Sequence, residues 1–515
     1  MLELAWWAYV AVVAALAVYA AHRLHLVVAF WRTRAAAADP TSALADPLPV
    51  VTVQLPIYNE RFVVERLLDA VAALDWPRDR LEVQLLDDST DDTAAIAAAR
   101  VAELRGRGLA IEHVRRASRA GYKAGALQHG LARARGELLL VLDADFVPPP
   151  DLLRRMAGSL TEGVAMVQAR WDHLNRSASR FTSLQALLLD GHFGVEQSAR
   201  ARTGCFFNFN GTGGLWRRAA IDDAGGWHGD TLTEDLDLSY RVLLRGWRFA
   251  YLLEQAVPGE LPADLNGFRS QQFRWAKGSM QVARKLLPAV LTARLRPAVR
   301  LEALFHLTHN LPYLLTATLA LLAVPALAWR DSPAPASAWI EATLALGAAA
   351  VSVAYLVTAQ RAVRGAALGL RAAVSVALRA PALMALTAGI SLGQARAVLE
   401  GLAGRPSEFV RTPKQGSAPS AGGYASAAGW LPVLELLTAA YLATGLVQAL
   451  AAHRFMAAPI LAVFAIGFAC VGAGSLAHDR RGRRGRRQTR PEKKAGSEAL
   501  DLDHPSFPSQ QPFDR

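Results

Sequence analysis

An α/β domain on a mostly parallel, Rossmann-like sheet, tied to α-helical transmembrane segments, is the fold class this sequence predicts. Three observations lead there. Hydrophobic residues fill 52% of the 515 positions and charged residues only 19%, a balance that points toward a membrane. Between Pro49 and Arg296 short apolar runs alternate with helical patterns, the signature of crossover units. On either side lie apolar stretches close to the ~20 residues that cross a bilayer.

Taken in order, residues 1–34 read as an N-terminal anchor. Its apolar run, Leu4–Phe30, has Glu3 before it and Arg32 and Arg34 after it, the reverse of a signal peptide's charges. That predicts an N-terminus outside and the following domain, residues 49–296, in the cytosol. Within this domain Val50–Leu55, Leu81–Leu86 and Leu138–Leu142 read as strands, and Glu60–Leu74 and Thr90–Arg105 as helices. Ligands of such sheets bind beyond the carboxyl ends of the strands. Two spans are expected within 301–359, at Leu301–Trp329 and Trp339–Val357, and two within 430–477, at Trp430–Leu450 and Met456–Leu476. Between them, in 360–429, Ala372–Leu392 is apolar but flanked by Arg371, Arg379 and Arg396. If it crossed, the Arg-rich tail would face outside, against the positive-inside rule, so it reads as an interfacial or re-entrant helix. The tail, 478–515, is basic, polar from Gly482 and expected to be disordered.

The net charge of +12 invites a nucleic-acid reading. Much of it, however, is concentrated in Arg480, Arg481, Arg483, Arg484, Arg486, Arg487 and Arg490, just past an apolar span, where contact with anionic lipid explains it. No nucleic-acid recognition module is visible. Two distant cysteines, Cys205 and Cys470, exclude a disulfide framework and fit a reducing compartment.

Four acidic clusters carry the chemistry. Glu60 closes Leu55–Glu60 after the first strand, Asp87–Asp92 follows the second, Asp143-Ala144-Asp145 the third, and Thr233-Glu234-Asp235-Leu236-Asp237 stands alone. Singly, each has a bland explanation: Asp88-Ser89-Thr90 as a helix cap, Asp143 and Asp145 as turn residues, Asp235 as a helix-terminal charge. Yet two carboxylates after a wholly apolar strand are costly without a cation, and hard oxygen ligands suit Mg²⁺ or Mn²⁺. A fifth element, Gln271-Gln272-Phe273-Arg274-Trp275, offers a guanidinium for phosphate and a flat apolar face for a sugar. His306, His309 and Asn310 open the second apolar run at helical spacing; they are either satisfied by neighbours or line a conduit.

In this order, Asp88, Asp143-Ala144-Asp145, Thr233-Glu234-Asp235 and Gln271-x-x-Arg274-Trp275 resemble the motif series of glycosyltransferase family two. Gln54–Glu60, Leu86–Asp91, Tyr122–Leu127 and Phe209–Thr212 are similar to the cellulose-synthase-like mannan and glucan synthases. Phe409-Val410-Arg411-Thr412-Pro413-Lys414 resembles the gating loop of bacterial cellulose synthase, with Arg411 where that motif has Val, so Phe409, Thr412 and Lys414 are gating-loop candidates.

The resemblance implies a GT-A type fold and an inverting, metal-dependent hexosyltransferase. It would use GDP-mannose or UDP-glucose and extend a β-linked polysaccharide from the inner face of the plasma membrane. The alternatives are single transfer to a lipid-linked acceptor, or a catalytically silent nucleotide-binding scaffold. The implied roles are Asp235 as base, Asp143 and Asp145 as metal ligands, and Glu60, Asp88, Lys123, Asp143 and Arg274 at the donor. Gln271 and Trp275 fall to the acceptor, and Glu234 and Asp237 are expected to keep Asp235 from being too acidic.

Overall fold

The computed structural model describes residues 2–34, 44–328, 335–365, 369–407 and 429–488. Phe409, Thr412 and Lys414 lie outside these residues. Seven strands form one sheet: β1 (Val51–Ile57), β2 (Leu81–Asp87), β3 (Ala110–Arg115), β4 (Leu138–Val141), β5 (Val164–His173), β6 (Gly214–Arg217) and β7 (Arg248–Gly259). Their order is β3-β2-β1-β4-β6-β5-β7. All pairings are parallel except those of β6, which runs against both β4 and β5.

Alternation along the strands separates two cores. Leu138 and Leu140 join Val53, Leu55 and Val83 on one face, whereas Leu139 and Val141 join Leu127, Met166 and Trp216 on the other. The helices between strands start later than the sequence suggests. After α1 (Leu2–Thr33), α2 covers Val64–Ala72 and α3 covers Thr93–Gly106. The delay has a cause in hydrogen bonding. Asn59, in a left-handed conformation (φ 58°), receives the Thr90 N–H at 2.8 Å, and its own N–H reaches Ser89 at 2.9 Å. The loops after β1 and β2 are thus laced together instead of winding into helix.

The domain continues through α4 (Tyr122–Arg133), α5 (Leu152–Gly158), α6 (Arg180–Gly191), a π-helical turn (His192–Gln197), α7 (Ser198–Thr203), α8 (Arg218–Asp223) and α9 (Glu234–Leu244) to the long α10 (Leu265–Thr292). Beyond it come α11 (Pro297–Thr308), α12 (Leu311–Ala328), α13 (Pro335–Arg364), α14 (Leu370–Gly389), α15 (Ser391–Leu402), α16 (Leu431–Ala451) and α17 (Ala458–Gln488). The run read as one span from Leu301 is therefore two helices. Its first half is drawn onto the domain by polar side chains, and only Leu311–Ala328 is apolar enough to cross. Helix α17 runs past Gly482, where the sequence suggests an unstructured tail.

Among the described residues six helices are long and apolar enough to cross a membrane: α1, α12, the second half of α13, α14, α16 and the first part of α17. Five of them meet the domain at one end. Leu26, Val27 and Phe30 of α1 and Tyr355, Leu356 and Ala359 of α13 are buried beside Phe193 and Val195. Near the start of α16, Glu435 pairs with Arg269 of α10 at 2.8 Å. Near the end of the apolar part of α17, Ser475 bonds the same arginine. Helix α12 starts directly after Asn310, whose amide donates to Ser279 of α10 at 2.7 Å. Helix α14 differs: its first half packs Val376, Ala380 and Leu383 into the domain core, and its second half brings Leu386, followed by Ile390, against Leu265 and Phe268 of α10. Both of its halves touch the domain.

Ion pairs at this junction are buried. Arg200 of α7 bonds Glu302 of α11 at 2.8 Å, and the other oxygen of Glu302 meets His22 of α1 at 2.8 Å. Tyr355 of α13 donates to Glu196 at 2.7 Å, and Glu196 lies 3.4 Å from Arg200. Buried charges of this kind are held by one another, so breaking one strands the rest.

Helices α14 and α17 cross through glycine. A Cβ on Gly389 would stand 2.3 Å from the Gly467 carbonyl oxygen, and one on Gly467 would stand 2.2 Å from that of Ala385. Such close backbone approach is how helices pack where neighbours are apolar. Gly467→Leu should therefore destabilise the full chain by roughly 1–3 kcal/mol through overpacking. Thermal unfolding in detergent measures this, and an unchanged midpoint would show that the crossing is not as described.

Candidate active site

The four acidic clusters and the Gln271–Trp275 segment converge on one cleft at the carboxyl ends of the strands. Glu60, Asp88, Lys123, Asp143, Asp145, Asp235, Gln271, Arg274 and Trp275 all line it. They come from the loops after β1, β2 and β4, from the starts of α4 and α9, and from within α10, as expected where a parallel sheet presents its strand ends. Residues separated by nearly two hundred positions become neighbours here.

Lys123 is at the centre. Its ammonium lies 2.7 Å from Asp143 and 3.7 Å from Glu234, and it donates to the Gly211 carbonyl at 2.8 Å. Burial alone would lower its pKa, but Asp143, Glu234 and Asp235 outweigh that and hold it above its ordinary value. A lysine after a glycine turn would commonly be solvated; this one is a buried counter-charge. Asp145, 3% exposed, accepts the Glu260 N–H at 3.0 Å, and Asp143 is anchored through its own N–H to Thr212 at 2.9 Å.

Asp235 stands in the first turn of α9. Burial and the neighbouring Glu234 push its carboxyl up to about 7, with Lys123 pulling the other way. Its backbone carbonyl accepts Ser239 at 2.6 Å, and the Ser239 hydroxyl in turn takes the Phe209 N–H at 2.9 Å. Gly211 sits against it with φ +84°, and a Cβ there would lie 3.2 Å from an Asp235 oxygen and 3.3 Å from the Lys123 ammonium. Only glycine takes this conformation freely at so close an approach. The part expected of Asp237 does not hold. It is fully buried, lies outside the cleft lining, and pairs with Arg241 and Lys285, each at 2.8 Å. Residues two apart on a helix do not face the same way.

Asp88 is not a helix cap. Arg116 grips it with two nitrogens, Nε at 3.0 Å. The Asp87 beside it is structural, bonded to His113 at 2.8 Å and to the Ser89 N–H at 2.8 Å. Burial lowers the Arg274 guanidinium from its ordinary value while Glu234, Asp143 and Asp235 push it back up. Trp275 faces Trp171, ring centroids 6.4 Å apart, and Trp171 packs on Phe146 and Phe193, each at 5.1 Å.

Several cleft residues carry no signal in the sequence. Trp171 and His173 close β5, and Arg119 stacks over Tyr58 at 3.5 Å. For Trp171 and His173 the only available hint was position at a strand end. His173 bears on the fit of a metal. Burial pushes its imidazole down to about 4, which leaves it neutral, and its Nε2 is buried without a hydrogen-bond partner among the described residues. Two carboxylates and an unpartnered neutral imidazole on one cleft are a donor set that fits a divalent cation. Elsewhere, His228, Asp230 and Asp237 bring ligand atoms within 4.8 Å of one another. Lys285 stands among them, 2.8 Å from Asp230 and from Asp237, so that group already holds a cation.

Residues 47–278 match the family model described as glycosyltransferase like family 2. Residues 47–278 are thus similar to glycosyltransferase family 2, on a GT-A-like fold. Among relatives it is 44% identical over 249 residues to glucomannan 4-beta-mannosyltransferase 2 of Arabidopsis thaliana, covering 47% of each chain. To glucomannan 4-beta-mannosyltransferase 1 of Oryza sativa subsp. japonica it is 43% identical over 252 residues, 47% of this chain and 48% of the relative. The match thus spans about half the length of these relatives. Among solved structures, mannosyltransferase PcManGT from Pyrobaculum calidifontis, in complex with GDP-Man and Mn²⁺, superposes with a TM-score of 0.51 at 25% identity. That alignment covers 69% of this chain and 98% of the other.

Removing the central cation should expose the charge it balances. Lys123→Gln should lower stability by about 3 kcal/mol, the usual cost of leaving buried carboxylates unpaired. The deficit should be larger at pH 8 than at pH 5.5, because Asp235 is protonated at the lower pH and no longer adds to the repulsion. Thermal unfolding at the two pH values reads this, and equal deficits would remove Lys123 from the role.

Proposed function

We propose that this chain is a membrane-embedded, inverting hexosyltransferase that moves mannose from GDP-mannose to the end of a growing β-linked polysaccharide, such as a β-mannan or glucomannan. The observation that carries the reading is the single cleft joining a raised-pKa carboxylate, a carboxylate pair, a guanidinium and an aromatic wall. The names of the relatives support mannose and a glucomannan product, and PcManGT's complex supports a guanosine diphosphate donor.

The chemistry assigned to this chain's residues follows from where they stand. Asp235, when ionised, takes the proton of the acceptor hydroxyl as that oxygen attacks the anomeric carbon. Arg274 pairs with the diphosphate leaving group. Trp275, backed by Trp171, offers the acceptor sugar an apolar face, with Gln271 one turn away. Glu60 and Asp88 fall to the nucleoside end, where Arg116 fixes Asp88. Asp143 and Asp145 would hold Mg²⁺ or Mn²⁺, with His173 a third candidate ligand, and the ion would supply charge neutralisation at the diphosphate.

The helix ends support five spans, with α14 lying along the interface. Helices α1, α13 and α17 then finish on the domain's side, and α12 and α16 leave from it. On this topology the domain and the Arg-rich tail share the cytosolic face of the plasma membrane. A reporter fused after Ala477 should be active on the cytosolic side only; activity outside would overturn the arrangement.

Vesicles bearing the full chain, offered GDP-mannose or UDP-glucose with Mg²⁺ or Mn²⁺, should make a β-linked mannose polymer, identified by linkage analysis. A single glycolipid product would mean single transfer to lipid, and no turnover of either donor would sink the enzyme reading. Two variants separate base from donor site. Asp235→Asn should cut turnover by ~10²–10⁴-fold with nucleotide affinity little changed, whereas Asp145→Ala should weaken metal-dependent donor binding first. Near-normal turnover in the former returns Asp235 to a helix-terminal charge.

The pH profile follows from the same group. With its pKa at about 7, Asp235 is ionised above that value, so kcat/KM should level off there. Below it, kcat/KM should fall by roughly tenfold per unit as the base takes up its proton. A profile flat from pH 5.5 to 8 would contradict the assignment.

A further inference from the structure

His306 of α11 is buried, 3% exposed, and both of its nitrogens are spoken for by the domain. The ring Nε2 lies 3.1 Å from Asn208 Oδ1, and Nδ1 lies 2.9 Å from the Tyr240 hydroxyl. Asn208 turns its own amide nitrogen to the Phe209 carbonyl at 2.7 Å, so its oxygen can only accept. Nε2 therefore carries the proton, and Nδ1 accepts from Tyr240. One neutral imidazole bridges two segments in a single tautomer. Burial and the nearby Arg200, His309 and His192 oppose a second proton, with Glu196 the nearest opposing charge.

The two segments bridged are those that confine Asp235. Tyr240 lies on α9, whose first turn holds Asp235. Asn208 opens the stretch ending at Gly211, the residue packed against the Asp235 carboxylate and bonded to Lys123. The Phe209–Ser239–Asp235 hydrogen bonds tie the same two walls together from the other side. One turn before His306, Glu302 fastens α11 to Arg200 and His22, and α11 leads into the apolar α12. The alternative left open by the sequence, a histidine lining a conduit, does not fit a ring so enclosed.

We propose that His306 is a positioning residue for the Asp235 base. From the membrane-proximal α11 it clamps α9 to the Asn208–Gly211 turn, and the bilayer-embedded half of the chain thereby sets the base against the acceptor. The proposal rests on the reading of Asp235 given above. It also predicts a conservative rescue: a glutamine amide offers Nε2–H to Asn208 and a carbonyl to Tyr240, the same donor and acceptor.

The test compares wild type, His306→Gln, His306→Leu and Tyr240→Phe as full-length chains in vesicles, with GDP-mannose and Mn²⁺. His306→Leu should lower kcat at least tenfold with the KM for GDP-mannose within about twofold, His306→Gln should recover most of it, and Tyr240→Phe should show the same split at smaller size. Amide hydrogen exchange on α9 and residues 208–211 should quicken in His306→Leu and Tyr240→Phe, and not in His306→Gln. The exchange arm decides the clamp independently of any donor, so a failure of the transferase reading is told apart from a failure of this one. Unchanged exchange and kcat in Tyr240→Phe, parallel loss of kcat and donor affinity in both disruptive variants, or no rescue by glutamine would each overturn the proposal. Tyr240→Phe removes one hydroxyl only, so it keeps the test open should the leucine variant fail to fold.

Discussion

Negative charge concentrated in a half-dry cleft is the constraint on which the rest of this structure turns. Asp143, Asp145, Glu234 and Asp235 line one cleft, and carboxylates so placed repel strongly where the effective dielectric is low. Lys123 and Arg274 are the resident answer, and the pKa directions report the balance. The lysine is held above its ordinary value, the guanidinium is pulled below its own, and one carboxyl of the group is pushed up to about 7. A divalent cation bound here would supply positive charge that Lys123 and Arg274 leave short. The site also holds one carboxylate close to neutral pH, where proton transfer is most effective.

The scaffold places these charges at little cost to itself. Each sits after a strand or at a helix start, so the apolar strands Val51–Ile57 and Leu138–Val141 stay in the two cores while the carboxylates lie just beyond them. Backbone groups do the fine placement: the Glu260 N–H on Asp145, the Gly211 carbonyl on Lys123, Thr212 on the Asp143 N–H. Helix α10 brings Gln271, Arg274 and Trp275 to the opposite side. It is fixed to the acidic wall by Gln281, which accepts the Leu232 N–H at 2.9 Å, and by Ala276 and Met280 packed with Leu236.

What the sequence made legible was the chemistry that local pattern carries. Apolar runs ending in carboxylates marked the ends of β1, β2 and β4, and the order of the acidic motifs marked one site before any geometry was known. What escaped depended on contacts distant in the chain. Trp171 and His173 end a strand whose polar positions resemble any other surface, and their place in the cleft is set by β7 and α10. Asp237 looked like a partner of Asp235 because they are close in sequence, and helical geometry sends it instead to Arg241 and Lys285. The break between α11 and α12 was hidden for a similar reason. Hydropathy saw one apolar run, while Glu302 and His306 had partners, Arg200 and Tyr240, that only folding supplies.

That last miss carries the argument furthest. A polar residue at the edge of an apolar run is ambiguous to any reading that counts only hydropathy, because its cost depends on a partner not yet found. Here the partners are found in the α/β domain, and the consequence is architectural. Glu302 is shared between Arg200 and His22, and Tyr355 and Glu196 extend the same buried chain to α13. Charges buried together resist being separated, since each member left alone would have to be desolvated without compensation. The apolar helices and the α/β domain are therefore joined by a polar lock as well as by the apolar packing of α1, α13 and α14. A rigid junction suits the proposed base, whose helix meets α11 through the Tyr240–His306 hydrogen bond, because small shifts in a reacting group are costly to rate.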